Sequence, residues 1–130
     1  MKPENAGTEE RRINLEVVRI GTPFEIEDAM GIAARIVDPD GEGVNNHWQK
    51  VSFSLLTGII LHVLYAEPDK TLRGVAVCLN DPEIFGKMVR VEHPVTTQVA
   101  KEILNRSEPE RSATIATANY FLARVDGDMK

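Results

Sequence analysis

The chain has 130 residues, 42% hydrophobic and 27% charged, with a formal net charge of −5 and a single cysteine. That length supports one domain with its own apolar core, needing neither disulfides nor a structural metal. The acid excess leaves no footprint for a phosphate-binding surface, and a lone Cys78 excludes an internal disulfide and fits a reducing compartment.

The leading "MKPENAGTEERR" has no apolar centre and does not read as a signal peptide. "NLEVVRI" has β-branched residues between Leu15 and Ile20 but no partner run to pair with, so residues 1–21 read as a partly extended lead-in. "TPFE" then writes a helix start, with Thr22 as cap, Pro23 in the first turn and Glu25 at the third position. Behind it Ile26, Met30, Ala33 and Val37 form a stripe at helical spacing, with Glu27, Asp28 and Arg35 on the other side. That helix is predicted to stop at Asp38-Pro39, because a residue before proline avoids helical geometry.

"DPDGEGVNNHWQ", from Asp38 to Gln49, has the front half of a calcium loop, with acids at positions one, three and five and glycine at six. The back half argues against calcium. Position twelve is Gln49, which offers one oxygen where a bidentate glutamate is required, and Pro39 stiffens the turn. The loop therefore reads as an acidic connection between helices.

The next helix, capped by Asn45 or Asn46 and running to Tyr65, is apolar on nearly every face beyond Phe53. Its run from Val51 to Ala66 is 16 residues, short of the roughly 20 of a membrane span, and it contains Ser52, Ser54, Thr57 and His62. It is predicted to be a buried core helix, with Gly58 and the serines permitting close neighbours. Trp48, one turn in, reads as a core anchor, with a partner-binding role as the alternative.

After the turn "EPDK" a short helix is predicted from Thr71 to Leu79. "NDPEIF", "HPVTTQVAKEIL" and "SEPE" each open another, the last reaching about Arg124. The expected fold is all-α: a compact bundle of about six helices around the central apolar helix Asn45–Tyr65, occupying residues 22–126, with 127–130 as a C-terminal tail.

Catalytic parts are thin. His93 reads as a cap or exposed residue, His62 as a buried neutral imidazole, and His47 stands too far along the same helix to share a metal with it. Cys78 reads as a small buried hydrophobe. Neither GxxxxGK[ST] nor GxGxxG is present, so no catalytic, cofactor or metal residue is assigned, and the chain is not expected to act as an enzyme by itself.

"GTPFEIEDAMGIAARIVDPDGEGVNNHWQKVSFSLLTGIILHVLY", above all "DPDGEG" through "HW" and "LLTGIILHVLY", resembles the TraG-like coupling proteins of type IV secretion and bacterial conjugation. "INLEVVRIGT" resembles that family's "NPL…GT" segment without its proline, and "DPEIFGKM" and "RSATIATANYFL" fit more loosely. The resemblance implies a membrane-anchored, ring-forming, hexameric ATPase as parent. This region would be its all-α domain, an excised insertion of the motor that faces the cytoplasm without touching the membrane. It also implies a role in selecting protein cargo, a relaxase or an adaptor.

Between Pro23 and Asn46 lie six acids and one base, which accounts numerically for the whole net charge. Glu27, Asp28, Asp38, Asp40 and Glu42 are the candidate partner-binding residues, for a basic cargo tail. A solvated face that keeps the domain soluble is the plain alternative. A DNA-contacting domain is the alternative function. Lys87, Arg90, Lys101 and Arg106 make residues 84–106 locally positive, with four bases against two acids, so any DNA contact is expected to be weak or indirect.

Overall fold

A computed structural model describes residues 13–125; residues 1–12 of the lead-in, residue 126 and the tail 127–130 lie outside the described residues. Six α-helices follow a short 3-10 turn: α1 (Glu25–Val37), α2 (His47–Ala66), α3 (Leu72–Leu79), α4 (Ile84–Arg90), α5 (Pro94–Leu104) and α6 (Glu108–Arg124). The fold is all-α. The centre is α2, which packs against α1, α3, α5 and α6, while α4 lies on α5.

Every residue of α2 from Leu55 to Leu64 is buried. By length and composition α2 could cross a membrane, and it is the one such helix among the described residues. Here its apolar faces are taken up by the four helices around it, with Leu55, Leu56, Ile59, Ile60 and Leu61 fully enclosed. Gly58 is what lets α5 come so close. A Cβ at that position would lie 2.8 Å from Val99, inside the contact distance of two carbon atoms. Gly74 serves the turn ahead of α3 in the same way, since a Cβ there would overlap the Asp69 carbonyl.

Four of the six helices begin on a side-chain cap, three of them at a capping residue read from the sequence and one at Thr71, predicted as the first helical residue. Asn46 accepts from the Gln49 N–H and the Gln49 side chain reaches back, a complete capping box. Thr71, His93 and Ser107 each accept a backbone N–H at the head of α3, α5 and α6. The other two starts are displaced. The Thr22 hydroxyl accepts from the Phe24 N–H at 3.2 Å and donates to the Arg19 carbonyl at 2.5 Å, which makes a turn and leaves the regular helix to begin at Glu25. Asp81 likewise binds the Glu83 N–H in a turn, and α4 begins only at Ile84. A side-chain oxygen caps a turn as readily as a helix, so the signal marks the place but not the first residue.

One further expectation is made more precise and two are corrected. "NLEVVRI" is not extended throughout: Leu15–Val17 form a 3-10 turn capped by Asn14, and Ile13, Leu15 and Val18 insert into the core. The buried face of α1 is Ala29, Ile32, Ala33, Ile36 and Val37, whereas Ile26 and Met30 are 38% and 40% exposed. Both sets have helical spacing; which one is covered depends on where the entering chain and α2 lie. Trp48 is 45% exposed and meets only the edge of His47 among aromatic rings, at 5.1 Å. It stands in the first turn of α2, near the end of the bundle, and so is not the core anchor its size implied.

Replacing Leu56 or Ile60 by alanine is expected to cost about 2–5 kcal/mol, a large part of the ~5–15 kcal/mol typical of a domain. Thermal unfolding monitored by circular dichroism measures this directly, and an unchanged melting temperature in both variants would refute the central role of α2.

Candidate functional site

The acidic region is α1 together with the loop to α2, and the structure divides its five candidate carboxylates into two groups. Asp28 and Asp38 are committed to the fold. Asp28 is gripped by Arg19: Nε donates to Oδ2 at 2.8 Å, Nη2 to Oδ1 at 2.9 Å, and the Arg19 backbone N–H to Oδ2 at 3.0 Å. This two-pronged contact pins the lead-in onto α1, with the guanidinium lying 4.2 Å from the centre of the Phe24 ring. Hydrogen bonding by the Arg19 side chain, then by its backbone N–H, holds the Asp28 carboxyl down at about 2.

Asp38 folds the loop. It accepts from the backbone N–H groups of Glu42 at 2.9 Å and Gly43 at 2.7 Å, while Gly41 and Gly43 take positive φ values of 74° and 114°. Gln49 completes the closure from the other side. Its amide NH₂ donates to the carbonyls of Val37 and Gly43, and its oxygen accepts from the N–H groups of Asn45 and Asn46. The amide is needed there because it both donates and accepts, and a carboxylate could not donate to the two carbonyls. The resemblance to a calcium loop therefore ends in a hydrogen-bonded latch made by the side chain at position twelve.

Glu27, Asp40 and Glu42 form the second group. All three side chains are exposed, and none makes a hydrogen bond or ion pair among the described residues. Arg35, the base of the same stretch, does have a partner. Three of the five predicted residues thus stand at the surface without a hydrogen bond or close ion pair, Glu27 near enough to Arg19 to add to the charge that favours its guanidinium, and the other two are internal ties.

Sequence reasoning missed a polar junction at the opposite end of α1. Glu25 accepts from the Gly21 N–H at 2.9 Å and from the Tyr65 hydroxyl, and its second oxygen lies 2.6 Å from His93 Nε2. His93 Nδ1 is already an acceptor, from the Val95 N–H at 3.1 Å, so Nε2 carries the proton and donates it to Glu25. Burial pushes the Glu25 carboxyl up, but the donors from Tyr65, Gly21 and His93 outweigh it and leave it below its usual value. Four chain segments meet there, which no local spacing reveals.

A second unforeseen group lies at the turn from α2 to α3. His62, Glu67 and Cys78 each bring a donor atom to within 4.8 Å of the other two. The Cys78 thiol is pushed up to about 11, first by burial and then by the charges of Glu67 and Asp81.

The locally basic stretch is partly spent. Lys87 is bound to Asp81 at 2.6 Å and Arg106 stands 3.7 Å from Glu110. The broad concavity of about 690 Å³ over α4 and α5 is lined by Glu92 and Glu102 as well as Lys101, a mixed rather than a basic surface.

Because its pKa in the fold is depressed, Asp28 contributes stability above its ordinary carboxylate pKa and loses it as pH falls towards about 2. The melting-temperature deficit of Asp28→Asn relative to the parent chain is thus expected to be full at neutral pH and to shrink between about pH 4 and pH 2. A deficit that does not change with pH would show that the charge of Asp28 is not what matters.

A family model for type IV secretory system conjugative DNA transfer matches residues 1–120. Two curated Escherichia coli proteins, each called conjugal transfer protein TraG, are 36% identical over 124 residues that cover 84% of this chain and 20% of theirs. No solved structure matches. The chain thus spans about a fifth of the length of those relatives, and with the family model covering nearly all of it, it belongs to the type IV secretory conjugative DNA transfer family as a TraG-like coupling-protein domain.

Proposed function

We propose that this domain recognises protein cargo, a relaxase or an adaptor, for a conjugative transfer apparatus, with Glu27, Asp40 and Glu42 as its docking charges. The observation that carries the reading is the division of the acidic region: two carboxylates tie the fold together by hydrogen bonds, and three stand exposed without a hydrogen bond or close ion pair among the described residues. The loop that carries Asp40 and Glu42 is held in one shape by Asp38 and Gln49, so its charges are presented without first having to be ordered. A segment rich in arginine or lysine is the complement. In this reading the longer chain is a membrane-anchored, ring-forming ATPase, and this domain sits on its cytoplasmic side.

Complementary charges of this kind act mainly on the association rate and are weakened by salt. The triple variant Glu27→Gln, Asp40→Asn, Glu42→Gln leaves Asp28 and Asp38 in place, so its circular dichroism and melting temperature are expected to match the parent chain. Association with the relaxase of the matching conjugative system, followed by stopped-flow fluorescence, is expected to slow by up to about tenfold at low salt and to lose its salt dependence. Parental rates at both low and high salt would reduce the acidic face to a solvated surface. Saturable binding of labelled DNA, unaffected by the triple variant, would favour the DNA-contacting alternative.

A further inference from the structure

The junction of α2 and α3 gathers donors of three chemical kinds in one partly enclosed corner. His62 sits in the last turns of α2 with its side chain 2% exposed, Glu67 is the residue that ends α2, and Cys78 lies near the end of α3 at 5% exposure. His62 Nε2 is 2.8 Å from Glu67 Oε2, and the thiol joins them so that all three donor atoms lie within 4.8 Å of one another. The other ring nitrogen, Nδ1, is buried with no hydrogen-bond partner. That ring orientation leaves Nε2 as the nitrogen that faces the other two donors, so the site rests on the convergence of the three side chains.

We propose that His62, Glu67 and Cys78 form a binding site for a divalent transition-metal ion of the zinc class. The donor set selects the metal. An imidazole nitrogen and a thiolate suit zinc or cobalt, whereas calcium and magnesium require oxygen ligands. Zinc bonds of about 2.0–2.3 Å place tetrahedral ligands about 3.3–3.8 Å apart, a spacing that a cluster of this size reaches with small side-chain shifts. The His62–Glu67 contact opens by about half an ångström, and one ring nitrogen, one carboxylate oxygen and the sulfur take the ion. The thiol proton leaves to solvent as the sulfur coordinates. With three protein donors a tetrahedral ion would keep one position for water, and the Glu67 side chain, 29% exposed, leaves this corner open to solvent on its side. Asp81, tied to Lys87 at 2.6 Å, is the next carboxylate and remains outside the set.

Such an ion would staple α3 to the end of α2 across the turn that Lys70 and Gly74 shape, with the Lys70 ammonium on the Glu67 carbonyl at 2.6 Å. The proposal is independent of the acidic face on α1, and neither test depends on the other.

The test uses the 130-residue chain, stripped with chelator under reducing conditions and titrated with cobalt(II). One cobalt per chain is expected, with the intense visible bands of a tetrahedral site and a thiolate-to-cobalt charge-transfer band in the near ultraviolet. Zinc should displace the cobalt and raise the melting temperature. Cys78→Ala is expected to abolish the charge-transfer band, and Glu67→Gln, which spares the buried positions, to weaken cobalt binding by at least about tenfold. Circular dichroism of each variant checks that the fold persists. No charge-transfer band at excess cobalt, or visible bands that survive unchanged in both variants, overturns the site.

Discussion

The structure depends on one constraint: a helix apolar on nearly every face has to be surrounded. From Leu55 to Leu64 no residue of α2 is left to solvent, so the other helices must cover it from several directions at once. Burial of this kind is the dominant favourable contribution to folding. It also dictates local sequence. Gly58 lets α5 approach because Val99 occupies the space a Cβ would fill, and Gly74 lets the chain turn back tightly enough for α3 to reach the end of α2.

Polar groups then fix how the covering segments are arranged. Arg19 and Asp28 fasten the lead-in to α1, Glu25 joins Gly21, Tyr65 and His93, and Gln49 with Asp38 shapes the connection from α1 to α2. These contacts are directional where apolar burial is not, so they set the positions of segments that hydrophobicity merely draws together. The acidic loop shows the same division of labour. Its rigid shape comes from one carboxylate and one amide, and the remaining carboxylates are carried on that shape without being needed to make it.

The domain belongs to a family defined by conjugative DNA transfer, yet its own surface charge is negative over α1 and its loop and mixed over α4 and α5. A negative face repels the phosphate backbone and attracts basic protein segments. The chain spans about a fifth of the length of the curated relatives it matches.

The sequence by itself determined the all-α class, the six helices and the central place of α2, because periodicity and capping chemistry are local properties of the chain. It also pointed to Asn45 or Asn46, to His93 and to the SEPE segment at Ser107 as helix starts with a capping side chain, and to His62 as a buried imidazole. Only the tertiary structure decided which face of α1 is covered, leaving Ile26 and Met30 outside and Ala29 and Ile36 inside. It exposed Trp48, whose size alone argues for burial but whose place near the end of the bundle leaves much of it open. It separated Asp28 and Asp38 from Glu27, Asp40 and Glu42, although all five look alike in sequence. It also brought Glu25 to His93 and His62 to Cys78, pairs 68 and 16 residues apart. Spacing along a helix fixes which residues share a face, but what meets that face depends on where distant segments are packed, and no local pattern encodes that.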